Sequence, residues 1–164
     1  MLELRRYHYW MFLALLLLAG CKEQQVAAPN APAPDLAVVN ASGDAVKLSD
    51  YAHQPRIVEF WSATCGACIS MMRDWQKFAQ AHPGKIAFIG VNVDSDRVKL
   101  ADFAKKFDLN LNLVRDQLGI TKERYRIEIT PTAFFIDRHG VIQSIHMGYS
   151  PHMDLGHYVA QLEN

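Results

Sequence analysis

Two cysteines separated by two residues, Cys65 and Cys68, are the part of this sequence best suited to covalent chemistry. They follow a short apolar run and open an amphipathic pattern, so we expect them where a buried strand passes into a helix. The free N–H groups and the dipole at a helix N-terminus stabilise an anion by up to about 2 kcal/mol, equivalent to about 1.5 pKa units. Because the thiolate is the nucleophile, the sequence predicts that Cys65 attacks a disulfide. Cys68, one turn further along, would then resolve the mixed disulfide.

A carboxyl group and a proline could serve the same reaction. Glu59 lies within the apolar run before the cysteine pair, where burial would raise its pKa and let it exchange protons with Cys68. A glutamate at a strand edge, paired with a lysine, is the alternative. Pro131 stands between Thr130 and Thr132 just before another apolar run. Since proline lacks a backbone N–H, it must begin a strand or occupy a special turn.

Other functions remain open for the cysteine pair. A zinc site would need two further ligands, and apart from Cys21 no other cysteine exists, although histidines could serve. A copper or metal chaperone could combine the pair with a distant histidine such as His146. A peroxidase of the peroxiredoxin type would have a threonine where this chain has Ser62, and a proline further upstream. A non-catalytic interaction module is the remaining alternative.

The segments around these residues alternate between strand and helix patterns. Apolar runs and period-two alternation predict strands, whereas apolar residues spaced by three and four predict helices. The strands are predicted at 38–39, 45–48, 56–61, 85–93, near 113, 132–137 and 141–147. The helices are predicted at 67–81, 96–107, 121–126 and from Ser150-Pro151 towards the C-terminus. This order predicts an α/β fold with a mixed sheet covered on both faces and a small N-terminal hairpin.

The N-terminus has the features of an export signal. Two arginines precede an apolar run from Tyr9 to Ala19, which is too short to span a bilayer because a spanning helix takes about 20 residues. We therefore expect residues 1–20 to be cleaved, and a short membrane anchor that stays attached is the alternative. The Pro- and Ala-rich residues 22–34 lack aromatic side chains and predict a tether before a domain at 36–164.

The charge balance excludes a nucleic-acid partner. The chain has 17 Lys and Arg against 17 Asp and Glu among 164 residues. Without residues 1–20 the counts are 15 and 16, a net charge of −1. No basic cluster remains for binding phosphates. A hydrophobic content of 50% also excludes disorder over most of the length, so we expect one globular domain.

The string Leu18-Ala19-Gly20-Cys21 resembles the lipobox of bacterial lipoproteins, in which the cysteine becomes the lipidated first residue of the mature protein. The resemblance implies that residues 21–35 are a lipidated terminus and tether, and that a lipid bilayer is a partner. Lys22 stands where members retained at the inner membrane commonly carry Asp, which favours the outer membrane. The two remaining cysteines then form an even pair in an oxidising compartment.

Three stretches, residues 58–68, 91–94 and 130–140, resemble the exported, membrane-tethered TlpA/ResA-like thiol:disulfide oxidoreductases of the thioredoxin superfamily. The order of elements is similar over residues 36–162. The resemblance implies a thioredoxin-like three-layer α/β/α fold with a central mixed sheet and an N-terminal β-hairpin extension.

The same resemblance implies a role for each candidate site residue. Cys65 would be the nucleophile, Cys68 the resolving cysteine and Glu59 a buried carboxylate. Pro131 would be a cis-proline facing the disulfide, and Thr130 its neighbour that contacts substrate. No metal or cofactor is implied beyond the redox-active disulfide itself. The implied partners are disulfide-containing exported proteins and a membrane electron donor, the implied location is the periplasm, and analogy favours the reducing direction.

Overall fold

Seven strands form one sheet in the computed structural model, which describes residues 25–52 and 54–163. In chain order they are β1 (Val38–Val39), β2 (Ala45–Val46), β3 (Arg56–Trp61), β4 (Ala87–Asn92), β5 (Asn112–Arg115), β6 (Thr132–Ile136) and β7 (Ile142–Met147). Their spatial order is β2-β1-β5-β4-β3-β6-β7. The pairs β3–β4 and β4–β5 are parallel, and the other pairs are antiparallel. The predicted mixed sheet with an N-terminal hairpin is therefore confirmed.

Four α-helices and one 3₁₀ helix connect the strands within the described residues. They are the 3₁₀ helix Leu48–Tyr51, α1 (Gly66–Ala81), α2 (Leu100–Phe107), α3 (Ile120–Arg124) and α4 (Leu155–Gln161). The first helix, α1, follows β3 directly and leads to the parallel strand β4, as a βαβ unit requires. It ends before Pro83 and Gly84, which cannot continue a helix comfortably.

Each face of the sheet carries its own hydrophobic core, and β3 contributes to both. Side chains of a strand alternate between the two faces. Ile57 and Trp61 belong to the core that includes α1, whereas Val58 and Phe60 belong to the core on the opposite face. Glu59 alternates with Val58 and Phe60, so its side chain points to the same face as Ile57 and Trp61. Cys68 of α1 lies on that face too.

The helix α2 begins at Leu100, four residues later than the sequence pattern predicts. The preceding backbone is held in a loop, where Arg115 Nη1 donates a hydrogen bond to the Val98 carbonyl at 3.4 Å. The apolar spacing continues through this loop, but a contact with a different strand decides where the helix starts.

The last helix also begins later than predicted. The residues Ser150-Pro151 form a separate turn, in which the Met153 N–H donates to the Ser150 carbonyl at 3.1 Å. The helix α4 begins at Leu155, because Asp154 caps it by accepting a hydrogen bond from the His157 N–H at 2.9 Å.

Part of the expected tether lies against the domain. The Ala27 N–H donates to the Arg124 carbonyl of α3 at 2.9 Å, and the Asn30 N–H donates to the Ile142 carbonyl at 2.8 Å. A segment without aromatic residues cannot build a core, but its backbone can still form hydrogen bonds with the unpaired N–H and C=O groups of an edge strand. Residues 27–34 therefore pack against the domain, whereas the sequence alone predicts only a semi-extended tether.

The expectations for residues 1–20 and for Cys21 lie outside the described residues, as do the first three tether residues, 22–24. Among the helices of residues 25–52 and 54–163, none has the length and apolar character needed to cross a membrane.

Candidate active site

The cysteine pair lies at the junction of β3 and α1, as the sequence predicts. The structure holds the pair as a disulfide, with 2.08 Å between the sulfur atoms and 5.3 Å between the Cα atoms. Cys65 caps α1, and its Sγ accepts a hydrogen bond from the Cys68 N–H at 3.1 Å. Cys65 is partly exposed, whereas Cys68 is completely buried. A protein disulfide can therefore reach Cys65, and the helix N-terminus would stabilise its thiolate after reduction.

The loop before Cys65 is held by a carboxylate from the neighbouring strand. Asp94 Oδ2 accepts hydrogen bonds from the Ala63 N–H and from Asn92 Nδ2, each at 2.8 Å. Burial disfavours the charged form of Asp94, but hydrogen bonds from Ser62, Ala63 and Asn92 outweigh it and lower the pKa of this carboxyl. Asp94 therefore fixes the backbone that presents the cysteine pair.

No role for Asp94 is predicted from the sequence, although residues 91–94 are part of the resemblance. The sequence feature that indicates a role for Asp94 is its position directly after an apolar strand. Such a carboxylate lies at the carboxyl end of a parallel sheet, where functional sites commonly form. Which neighbouring loop it binds depends on strand order, and β4 lies next to β3 only in the folded protein.

Glu59 is fully buried in the central strand β3. Neither of its carboxyl oxygens has a hydrogen-bond partner among the described residues. Burial raises the pKa of Glu59 well above its ordinary value. The alternative of an edge glutamate paired with a lysine is wrong, because β3 has a neighbouring strand on each side and no cation within residues 25–52 and 54–163 bonds to the carboxyl.

The loop that contains Pro131 faces the disulfide. The Thr130–Pro131 peptide bond is cis, as the resemblance implies. The carbonyl oxygen of Thr130 lies 3.7 Å from Cys65 Sγ. Because a disulfide sulfur carries no hydrogen, this is a contact and not a hydrogen bond. The Pro131 carbonyl accepts a hydrogen bond from the Gly148 N–H at 2.8 Å, which ties the loop to the end of β7.

Two exposed apolar side chains flank this loop. Ile129 is 53% exposed and precedes Thr130, while Met147 is 68% exposed and pairs with Thr132 across β6 and β7. The sequence alone does not distinguish these two side chains from core residues. Ile129 directly precedes Thr130 and can pack against apolar side chains of a protein substrate, whereas the strand alternation places Met147 on the sheet face opposite Glu59.

His146, the histidine considered for a metal site, contacts a tyrosine. Its Nδ1 lies 3.4 Å from the Tyr158 hydroxyl of α4. In residues 25–52 and 54–163, no three His, Cys, Asp or Glu side chains are grouped so that they could hold a metal ion. The copper-chaperone alternative therefore finds no support in the side chains around the cysteine pair.

The chain matches the model of the AhpC/TSA family over residues 29–145. It is similar to the Thioredoxin-like protein YneN of Bacillus subtilis (strain 168), with 30% identity over 119 residues that cover 71% of this chain and 69% of the relative. It is also similar to the Thiol-disulfide oxidoreductase ResA of Geobacillus kaustophilus (strain HTA426), with 24% identity over 142 residues that cover 86% of this chain and 82% of the relative.

The fold is shared with a solved structure. A protein described as the thiol:disulfide interchange protein DsbE from Chlorobium tepidum superposes with a TM-score of 0.71 and 26% identity. The match covers 82% of this chain and 97% of that chain. The thioredoxin-like α/β architecture expected from the resemblance is therefore confirmed.

Proposed function

Because the chain belongs to the AhpC/TSA family, in the TlpA/ResA-like part of the thioredoxin superfamily, and is a thiol-disulfide oxidoreductase, we propose a narrower function for it. It is an exported, membrane-anchored reductase of disulfides in other exported proteins. The observation that carries this proposal is the asymmetry of the pair, since Cys65 is accessible while Cys68 is completely buried next to the face that holds Glu59.

The proposed reaction moves two electrons from the dithiol to the substrate. The Cys65 thiolate attacks one sulfur of the substrate disulfide, forms a mixed disulfide and releases the other substrate sulfur as a thiolate. The carboxylate form of Glu59 then takes the proton of Cys68, and the Cys68 sulfur attacks Cys65. The second substrate sulfur leaves as a thiolate, the Cys65–Cys68 disulfide forms, and the substrate thiolates take protons from solvent.

Glu59 is suited to this proton exchange because its environment disfavours its charged form. Burial raises the pKa of Glu59 well above its ordinary value, so the Glu59 carboxylate is a stronger base towards the Cys68 thiol than an exposed glutamate is. The protonated carboxyl can give the proton back when a donor reduces the disulfide. The same residue thus serves both halves of the cycle.

Thr130 and Pro131 are the proposed substrate-binding residues. The Thr130 carbonyl lies beside Cys65 Sγ, so an extended substrate segment that brings its sulfur to Cys65 must pass along this backbone. The exposed side chain of Ile129, which directly precedes Thr130, then lies beside the flanking substrate side chains. We expect preference for disulfides next to apolar residues.

Export and anchoring complete the proposal. Residues 1–20 act as a cleaved signal, and lipidated Cys21 holds the domain at a membrane facing the periplasm, with the outer membrane favoured by Lys22. Since the chain extends by at most about 3.5 Å per residue, Cys21 lies within about 20 Å of Ala27, which contacts α3. The domain therefore stays close to the bilayer, within reach of a membrane electron donor.

The test of the redox function uses the reduction of insulin by the purified protein. We expect turnover by the wild type and none by Cys65→Ser, because the nucleophile is removed. Cys68→Ala should accumulate a covalent complex with its substrate, since the mixed disulfide cannot be resolved. Tight copper binding without turnover would instead support a chaperone, and consumption of hydrogen peroxide would support the peroxidase.

The test of direction is the equilibrium reduction potential against a glutathione or dithiothreitol buffer. The reduction potential of a reductase should lie nearer the value of about −270 mV known for thioredoxin than the value of about −120 mV known for DsbA.

Anchoring is tested separately by mass spectrometry of the mature N-terminus. We expect a lipidated Cys21, and Cys21→Ser should move the protein from the membrane to the soluble fraction.

A further inference from the structure

The loop between β3 and α1 uses three successive backbone N–H groups inside the protein. The Ala63 N–H donates to Asp94 Oδ2 at 2.8 Å. Ser62 takes the next two, since its Oγ accepts the Thr64 N–H at 3.4 Å and its carbonyl accepts the Cys65 N–H at 3.1 Å. What this part of the loop offers to a substrate therefore depends on its side chains.

The hydroxyl groups of Ser62 and Thr64 lie 3.2 Å apart, so one of them donates a hydrogen bond to the other. Ser62 also donates to the carboxylate of Asp94, and this bond helps to lower the pKa of that carboxyl. A serine has one hydroxyl hydrogen, and a hydrogen bond to a charged acceptor is about twice as strong as one between neutral groups. The Ser62 hydrogen therefore stays on Asp94, and Thr64 is the donor within the pair of hydroxyls.

The direction of this chain of hydrogen bonds decides what Thr64 presents to solvent. Its hydroxyl hydrogen points back to Ser62, so the lone pairs of Thr64 Oγ1 are left for a substrate. Thr64 is exposed and directly precedes Cys65, with about 3.8 Å between consecutive Cα atoms. A substrate segment bound at the sulfur therefore lies next to this side chain.

A second acceptor lies at the same sulfur. The Thr130 carbonyl oxygen is 3.7 Å from Cys65 Sγ, and a carbonyl can only accept hydrogen bonds. Thr64 and Thr130 come from different loops, yet both direct oxygen lone pairs to the surroundings of Cys65. The complementary substrate is one that carries hydrogen-bond donors beside its disulfide.

We propose that Thr64 is a specificity-determining residue: its hydroxyl oxygen, oriented by Ser62 and Asp94, accepts a hydrogen bond from an N–H or O–H group beside the substrate disulfide. This inference rests on the proposed reduction of protein disulfides at Cys65. The favoured substrate has a free backbone N–H next to its cysteine, as an extended segment does. A proline at that position lacks the N–H and is disfavoured.

The test uses disulfide-linked dimers of the peptide Ac-Ala-Cys-Ala-amide and dimers with a methyl group on the nitrogen of the alanine before or after the cysteine. Each rate of reduction by the reduced protein is divided by the rate at which Cys65 reacts with methyl methanethiosulfonate. That reagent has no N–H or O–H, so changes in the sulfur itself cancel. We expect the wild type to reduce the parent dimer about 2- to 10-fold faster than one of the methylated dimers.

Variants of Thr64 identify the acceptor. Thr64→Val removes the oxygen at nearly constant volume and should lose the preference for the parent dimer, whereas Thr64→Ser keeps the hydroxyl and should retain it. Any effect of methylation on the peptide itself is common to all variants and cancels in the comparison. The same preference in the wild type and Thr64→Val, or none in the wild type, would overturn the inference while the redox function stands.

Ser62→Ala tests the orientation of the hydroxyl. Without Ser62 Oγ the Thr64 hydroxyl can turn its hydrogen outwards, so the preference should shrink although Thr64 is still present. Ser42→Ala, exposed in the turn between β1 and β2, is the control and should keep the wild-type preference. If the reduced wild type failed to reduce any of the dimers, the proposed function itself would be contradicted.

Discussion

At the scale of single residues, exposure separates the roles of chemically similar groups. Cys65 and Cys68 lie about one helical turn apart, yet Cys65 is partly exposed to solvent and Cys68 is completely buried. Glu59 is an ordinary carboxylic acid whose properties change because it is fully buried and neither carboxyl oxygen has a hydrogen-bond partner among the described residues. Such a group is retained at a cost in stability, and that cost is measurable.

Glu59→Gln should change how stability depends on pH. The folded-state pKa of Glu59 is raised above its ordinary value of 4.5, so the folded protein holds this proton more tightly than the unfolded chain does. Its contribution to stability is complete below pH 4.5 and is lost as the pH rises towards the folded-state pKa. Urea unfolding at pH 4.5, 6 and 8 should therefore show the wild type losing stability relative to Glu59→Gln.

The exposed Glu128 is the matched control for this prediction. Glu128→Gln should follow the wild type at each pH, because this side chain is exposed to solvent in the folded protein as it is in the unfolded chain. If the curves of the wild type and Glu59→Gln ran parallel, Glu59 would not be held neutral in the folded protein.

At the scale of elements, the active site is a set of loops fixed by neighbouring strands. The end of β4 holds the loop before α1 through Asp94, and the end of β7 holds the Pro131 loop through the Gly148 N–H. These links join segments that are distant in sequence. The geometry around Cys65 therefore depends on the register of the sheet as much as on the helix that carries it.

Asp94→Ala should loosen the active-site loop. The variant loses the acceptor for the Ala63 N–H, and a hydrogen bond to a charged group is worth about 1.5–3 kcal/mol. We expect amide hydrogen exchange at Ala63 to accelerate about 10- to 100-fold, with slower insulin reduction. Asp94→Asn keeps an acceptor oxygen and should remain close to the wild type. Unchanged exchange at Ala63 in Asp94→Ala would show that the loop is fixed by other contacts.

Gly90→Ala tests the packing of the central strands. A Cβ at this position would lie 2.8 Å from Leu113 Cδ2 and would also press on Trp61. Overpacking of this kind costs about 1–3 kcal/mol, so we expect the free energy of unfolding in urea to fall by that amount. Gly66→Ala is the control, because nothing lies within 4 Å of the added methyl and alanine favours the helix. It should be neutral or stabilising by up to about 1 kcal/mol.

At the scale of the whole molecule, the segment at 27–34 contacts two elements that are distant from it in sequence, α3 and β7. It contacts α3 through Ala27 and the first residue of β7 through Asn30, and the Tyr125 hydroxyl donates to the Pro34 carbonyl at 2.6 Å. The segment thereby covers one end of an edge strand that would otherwise be open to pairing with another chain. It also shortens the free connection to the proposed lipid anchor.

Removing this segment should destabilise the domain. A chain shortened to begin at Leu36 loses the four backbone hydrogen bonds that join residues 27–33 to the rest of the domain, each worth about 1 kcal/mol. We expect its free energy of unfolding to be about 2–4 kcal/mol lower than that of a chain beginning at Gln25. The chain beginning at Gln25 should match one beginning at Lys22, and equal stability of all three would show that the segment is only a tether.

Features that depend only on residues close together in the chain can be predicted from the sequence. The cysteine pair at a strand-to-helix junction, the order of strands and helices, and the position of Pro131 follow from local periodicity and from residues with restricted backbones. Neighbouring residues constrain each other directly, so these signals survive without knowledge of the fold. The prediction that the last helix begins at Ser150-Pro151 is wrong, because in the folded chain Asp154 caps the helix and α4 begins at Leu155.

The tertiary structure alone decided which distant groups meet. Strand order places Asp94 beside the loop of Cys65. Register pairs Glu59 with Ala133 on β6, and Ala133 with His146 on β7. A shift of one residue in either register would turn His146 or Glu59 to the opposite face. The turn between Asp137 and Val141 sets the register of β7 on β6, but β6 and β3 are distant in sequence, and their register depends on the combined packing of both cores.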